Sequence, residues 1–167
     1  MKHSTFLLMA GIFMLSAAPA FSQLLPAVTV IPANYKYLKT VGGKEVAIPV
    51  QRLQRTAAAY DIKESEYYEE DYDTYFISFY LPEGQILAAY DSTGKLIRTA
   101  EKYKNVKLPS VVTKSVTTRF PNWAITKDTY LVTYFEGTEQ STKKYKLLLE
   151  NGSKRIRIET NEQGEIL

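Results

Sequence analysis

Residues 74–103 read TYFISFYLPEGQILAAYDSTGKLIRTAEKY, and this stretch decides the fold class. Three runs rich in aromatic and aliphatic residues are separated by two clusters of turn-forming residues, Pro82–Gly84 and Asp91–Gly94. Aromatic and β-branched residues favour strands, whereas proline and glycine clusters separate them. The stretch therefore predicts a meander of antiparallel strands over Thr74–Leu81, Gln85–Tyr90 and Lys95–Tyr103.

A second set of strands is predicted toward the end of the chain. Its last two members flank Asn151-Gly152, which favours a tight type I′ hairpin turn. The chain also contains thirteen tyrosines, which agrees with a sheet-rich protein. The predicted strands of this set are Trp123–Lys127, Thr129–Phe135, Lys143–Leu149 and Ser153–Thr160.

A helix is predicted before each set of strands. Pro49 opens the first and Pro109 the second, since proline is well suited to the first helical position. Each helix has one apolar stripe at helical spacing, and Pro121 ends the second. The stripes consist of Val50, Leu53, Ala57 and Tyr60 in the first helix, and of Val112, Val116 and Phe120 in the second.

Upstream of the first helix, residues 34–48 predict a β-hairpin. Tyr35, Tyr37 and Val41 alternate along the chain, and Gly42-Gly43 supplies a turn.

The order of helix followed by strands occurs twice, which predicts a tandem repeat. Ile48-Pro49 before the first helix corresponds to Leu108-Pro109 before the second. The alternative is that any α+β chain can be aligned with itself this loosely. We expect the hairpin and first repeat in residues 23–106, and the second repeat in residues 107–167.

Residues 1–22 are expected to be a cleaved signal peptide. Lys2 supplies a short positive start, Phe6–Leu15 is apolar, and small residues follow up to Ser22. A membrane anchor is the alternative, but spanning a bilayer takes roughly 20 apolar residues, and this run is shorter. We therefore expect a periplasmic or secreted protein with no membrane span after signal cleavage.

The second half of the chain resembles the secreted PepSY-like proteins, also described as β-lactamase-inhibitor-like. The resemblance lies in Leu108-Pro109, in Arg119-Phe120-Pro121-Asn122-Trp123 and in Tyr145–Gly152. The first half matches more weakly, through Tyr75–Tyr80 and Tyr90–Leu96. The resemblance implies an α+β fold in which one helix packs on an antiparallel β-sheet, repeated in tandem. It also implies that the open face of the sheet binds other proteins, as in relatives that inhibit enzymes.

Most catalytic chemistry is excluded by composition. The chain has no cysteine, and its single histidine, His3, lies in the predicted signal peptide. Catalytic triads, cysteine nucleophiles and histidine or thiolate metal sites therefore have no residues in the mature chain. We expect a protein that is not an enzyme and has no cofactor, no catalytic residues and no metal site.

The acidic, tyrosine-rich segment 64–73 carries the alternative function, as a small-ligand or calcium site. Hard oxygen ligands suit calcium, but the segment lacks the glycine turn and distal glutamate of an EF-hand loop. Its simplest interpretation is a solvated acidic loop, and a carboxylate-based hydrolase is a third, weaker interpretation. The carboxylates belong to Glu64, Glu66, Glu69, Glu70, Asp71 and Asp73.

Strand alternation predicts the candidate binding site. Side chains of successive strand residues point to opposite faces of a sheet. If the helices cover one face, the other face presents aromatic, aliphatic and basic side chains to a partner. Two alternatives remain: the two halves pack together and bury this second face, or it is an ordinary exposed face that binds nothing. The candidate partner-binding residues are Phe76, Tyr80, Arg98, Leu131, Phe135, Lys144, Lys146, Arg155 and Arg157.

The expected partner is a protein or peptide outside the cytoplasm. The formal net charge is only +3, which is too small to indicate nucleic acid, and an export signal argues the same way. Aromatic and arginine side chains are enriched at the energetic centres of protein interfaces. The sequence therefore predicts a non-catalytic binding protein, in its sharper form an inhibitor or accessory factor of an exported enzyme.

Overall fold

The computed structural model describes residues 34–138 and 140–167, which form an α+β domain. The predicted signal peptide lies outside the described residues. Within them, no helix has the length and apolar character needed to cross a membrane. The elements are α1 Tyr35–Val41, α2 Ile48–Ala59, β1 Thr74–Leu81, β2 Gly84–Asp91, β3 Leu96–Lys104, α3 Ser110–Arg119, β4 Ala124–Phe135, β5 Gln140–Asn151 and β6 Lys154–Asn161.

All six strands belong to one antiparallel sheet, in the order β1-β2-β3-β4-β5-β6. The predicted meander over residues 74–103 is confirmed to within a residue at each strand end. β3 pairs with β4, from Arg98 opposite Phe135 to Lys104 opposite Thr129. The two predicted halves therefore share one continuous sheet, in which a helix followed by three strands occurs twice.

The predicted N-terminal hairpin is wrong, because residues 35–41 form a helix. Tyr37 and Val41 lie four residues apart and are both buried on one face of α1. Gly42 then takes an extended conformation, and its N–H donates to the carbonyl of Leu38 at 2.9 Å. The glycine pair thus ends a helix instead of joining two strands.

The two short strands predicted over residues 123–135 are one strand, β4. A register shift between Ile125 and Lys127 accommodates an extra residue against β5. A β-bulge of this kind interrupts the alternation of side chains without ending the strand. The predicted break at Asp128 lies beyond the bulge, where the pairing with β5 is regular, so β4 continues through it.

The helices lie on one face of the sheet, which we call the helix side. The predicted stripe of α2 is buried at Val50, Leu53 and Ala57, and that of α3 at Val112 and Val116. Tyrosines fill much of the space beneath the helices, and three neighbouring strands stack them at ring-centroid distances of 6.0 and 4.5 Å. The stacked rings belong to Tyr103, Tyr130 and Tyr145.

A carboxylate, Glu101, lies buried in the middle of this tyrosine core with only 3% of its surface exposed. Four neutral donors surround it, one of which comes from α1, one from α2 and two from β3. Buried charges without partners are strongly unfavourable, and these hydrogen bonds compensate for the lost water. The donors are Tyr37 Oη at 2.7 Å, Gln54 Nε2 at 2.9 Å, Thr99 Oγ1 at 2.9 Å and Tyr103 Oη at 2.8 Å.

The stability of the fold should depend on pH through Glu101. Burial raises the pKa of its carboxyl, and the four hydrogen bonds that the carboxyl accepts only partly oppose this. The folded chain therefore holds this proton more tightly than the unfolded chain, whose glutamate pKa is about 4.3. The stabilisation is complete below that value and is lost as pH rises through the folded pKa.

Urea unfolding of the wild type and of Glu101→Gln across a pH series tests this prediction. The free energy of unfolding of the wild type should fall relative to that of the variant as pH rises above about 4.3. A difference between the two proteins that stays constant over the series would contradict the raised pKa.

Candidate functional site

The candidate site is the face of the sheet opposite the helices, which we call the open face. Strand pairing shows that Phe76, Arg98 and Phe135 share this face, because a cross-strand row runs from Phe76 through Ala89 and Arg98 to Phe135. A second row crosses the whole sheet. It consists of Tyr80, Gln85, Lys102, Leu131, Lys144 and Asn161.

All nine predicted site residues lie on the open face, but they fall into two regions. An aromatic region spans β1 to β4 and holds Phe76, Tyr80, Arg98, Leu131 and Phe135. A basic region spans β5 and β6. It holds Lys144, Lys146, Arg155 and Arg157.

The aromatic region presents large apolar side chains to solvent. Phe76 and Tyr80 are each 68% exposed, and Leu87 and Phe135 are 45% and 44% exposed. Single exposed apolar residues are ordinary on protein surfaces, whereas grouped ones mark interaction sites. Between Phe76 and Arg98 the row contains Ala89, whose small side chain is buried. The region is therefore a shallow apolar surface with large aromatic side chains, such as Phe76 and Phe135, at its margins.

A cation–π contact joins two members of the aromatic region. The guanidinium carbon of Arg98 lies 5.0 Å from the centre of the Phe135 ring. Such contacts contribute about 0.5–1 kcal/mol at exposed positions. The contact holds both side chains in place before any partner arrives, which lowers the entropy lost on binding.

Two of the predicted basic residues are paired within the sheet. Lys146 Nζ lies 2.9 Å from Glu159, and this bond lowers the pKa of that carboxyl. Arg155 Nε lies 2.8 Å from Glu150. Both pairs join residues of β5 and β6 that lie directly opposite each other. A partner would meet these two cations already neutralised.

Other cations on the open face have no such neighbour. Within residues 34–138 and 140–167, no carboxylate lies within 4.0 Å of the charged groups of Lys102, Lys104, Lys127 or Arg157. Lys127 and Arg157 line a shallow depression of about 470 Å³ together with Leu148. The available positive charge therefore lies in the middle of the face and around this depression.

Sequence reasoning missed Lys102, Lys104 and Lys127. Lys102 and Lys104 follow Arg98 and Ala100 at every second position of β3, so they share the open face with Arg98. The alternation that identified Arg98 could therefore have found them. Lys127 continues the alternation of Leu131 and Phe135 along β4, but the prediction placed it in a separate strand, Trp123–Lys127, so it was not assigned to the open face.

The acidic segment 64–73 forms a series of turns between α2 and β1 and lies next to Tyr75, near the start of β1. Tyr68 and Tyr72 pack against the Tyr75 ring at 5.6 and 6.2 Å, and the Tyr75 hydroxyl donates to the carbonyl of Glu69. All six carboxylate residues are exposed. Across the described part of the chain, no three acidic side chains converge in a way that could hold a metal ion.

Comparison with known proteins gives one distant likeness. No protein family matches the chain, and no curated protein does. Among solved structures, the chain is similar to a BLIP-like protein from Bacteroides fragilis, at 16% identity, with a TM-score of 0.32, over 59% of this chain and 68% of that one. At so low a TM-score, the likeness establishes neither the detailed fold nor the function of the chain.

Proposed function

We propose that the chain is an exported, non-catalytic binding protein whose open face holds a protein or peptide partner outside the cytoplasm. The observation that carries the proposal is the combination of grouped, exposed aromatic side chains with neighbouring unpaired cations. Aromatic residues and arginine are the side chains that dominate the energy of protein interfaces. In its sharper form, the partner is an exported enzyme that this chain inhibits or assists.

The contacts of the open face support this function in two ways. The cation–π contact orders Arg98 and Phe135, so one end of the aromatic region is preorganised. Lys102 and Arg157 supply positive charge that is not already neutralised by the sheet, which favours a partner with acidic groups. The mature chain also lacks the histidine and cysteine on which most hydrolytic sites depend.

The architecture is consistent with an internal duplication, which we propose as its origin. A helix followed by three antiparallel strands occurs twice, as α2-β1-β2-β3 and as α3-β4-β5-β6. On this proposal the open face combines the equivalent faces of two repeats.

Affinity capture from the native cell envelope and growth medium tests the proposed function. The wild type should recover one protein in stoichiometric amount, identified by mass spectrometry, and Arg157→Ala should recover less because Arg157 lies in the basic region. Arg52→Ala is the matched control, since Arg52 is an exposed arginine on α2. If Arg157→Ala and Phe135→Ala each recovered as much of the partner protein as the wild type does, the open face would be ruled out as the binding surface.

A further inference from the structure

The two edges of the sheet differ in how they are protected. β6 carries charged side chains, and the last residues of the chain cover part of it: Thr160 bridges to Ile166, and the N–H of Leu167 donates to the carbonyl of Glu159 at 2.9 Å. Charges and covering segments are the usual means of keeping an edge strand from pairing with another chain. The β6 edge is therefore protected against a further strand.

The β1 edge has none of these protections. Its eight residues, Thr74–Leu81, include no charged residue and no proline, and its pairing with β2 runs without a bulge. In the part of the chain that the structure describes, no strand lies on its outer side. A long, uncharged, regular edge of this kind offers its backbone groups to another strand.

The register of β1 identifies which groups the edge offers. A two-residue turn joins Leu81 to Gly84, and a turn of this length hydrogen-bonds these two residues to each other. Hydrogen-bonded and non-hydrogen-bonded pairs alternate along antiparallel strands. The backbone N–H and C=O groups of Phe76, Ser78 and Tyr80 consequently point away from β2, toward the free edge.

We propose that β1 pairs with β1 of a second copy of this chain, antiparallel and with Ser78 on the two-fold axis. In this register Phe76, Ser78 and Tyr80 each meet one of the same three residues of the second copy, so the outward N–H and C=O groups of these three residues are paired. On the open face, Phe76 lies opposite Tyr80 of the second copy, twice by symmetry, on either side of the two small serines. Aromatic cross-strand pairs stabilise antiparallel sheets.

The helix side of the same pair is equally self-complementary. Ile77 lies opposite Phe79 of the second copy, again twice, so half-buried apolar side chains meet on that side as well. A single surface that is complementary to itself is what a closed two-fold dimer requires. The β1 strand meets this condition on both faces and along its backbone.

The dimer is independent of the proposed binding function and adds to it, because it would join two open faces into one twelve-stranded surface.

Sedimentation equilibrium over the micromolar range tests the dimer with two matched variants. Ser78→Lys places two ammonium groups at the axis, whereas Thr133→Lys places the same charge on β4, at a position that is also exposed. Exposed substitutions of this kind change the stability of a fold only slightly, so both variants should fold.

We expect the wild type and Thr133→Lys to be dimers and Ser78→Lys to be a monomer. A wild type that is a monomer throughout, as it would be if another segment of its own chain or a foreign peptide occupied the edge, overturns the proposal. A Ser78→Lys dimer overturns it as well.

The register is tested by disulfide cross-linking, for which this cysteine-free chain is well suited. Hydrogen-bonded partners in an antiparallel pair have Cα atoms about 5.5 Å apart, within the range that a disulfide spans. Ser78→Cys should therefore cross-link on oxidation, whereas Tyr80→Cys should not, because the two copies of residue 80 lie four positions apart along the pair. Cross-linking of Tyr80→Cys, or none at Ser78→Cys, contradicts the proposed dimer.

Discussion

Glu101→Ala is expected to lower the free energy of unfolding by about 4 kcal/mol. The substitution leaves four donors facing an empty space, and a buried donor without a partner costs roughly 1–3 kcal/mol. Because the hydroxyls of Tyr37, Thr99 and Tyr103 rotate and one water molecule can enter, we expect less than the full sum. Urea unfolding measures the effect as a lower midpoint.

Two control variants separate the hydrogen-bond network from general effects of substitution. Glu101→Gln keeps the size and one acceptor oxygen, so it should cost about half as much as the alanine variant. Lys102→Ala changes the next residue of β3, whose side chain is exposed, and should change stability by about 0.5 kcal/mol or less. If Glu101→Ala and Lys102→Ala unfolded at the same urea concentration, the network would not stabilise the fold.

Phe135→Ala is expected to weaken binding of the captured partner about 30-fold, which corresponds to the ~2 kcal/mol of an interface hot spot. The ring is 44% exposed, lies in the aromatic region and is held by Arg98. Its removal takes away apolar contact area and also frees the arginine. Titration calorimetry of each variant with the partner measures the change.

Arg98→Ala and Tyr67→Ala complete this experiment. Loss of Arg98 should weaken binding as well, and the double variant should lose less than the two single changes added together, because the side chains act as one unit. Tyr67 is an aromatic residue of the acidic segment and is 60% exposed, so Tyr67→Ala is the matched control. If Tyr67→Ala bound the partner more weakly and Phe135→Ala bound it as the wild type does, the binding site would be in the acidic segment and not on the open face.

The strands and the two longer helices could be predicted because their patterns depend on local rules. Alternation along Thr74–Leu81 and the Asp91–Gly94 turn fixed the first meander, and proline with an apolar stripe fixed α2 and α3. The hairpin over residues 34–48 was wrong because a seven-residue segment contains too few turns of helix to show its period clearly. Burial of Tyr37 and Val41 against the sheet decides its conformation.

Strand alternation predicted which residues lie on the open face, but it could not predict which of the cations on that face are paired with carboxylates. Lys146 and Arg155 looked like available cations, but their neutralisation depends on which residues of β6 lie beside β5. That register is a property of the whole sheet. Glu101 was missed for a similar reason, since a lone glutamate among strand residues is ordinarily exposed and only the tertiary fold supplies its four donors.

Hydroxyl-radical footprinting of the complex tests most directly whether the open face binds the partner. Oxidation of Phe135 and Leu87 should fall when the partner is added, while that of Tyr35 on α1 and Tyr67 in the acidic segment stays unchanged. All four side chains are exposed in the chain alone. Protection of Tyr67 or Tyr35, with Phe135 and Leu87 oxidised as before, would contradict binding at the open face.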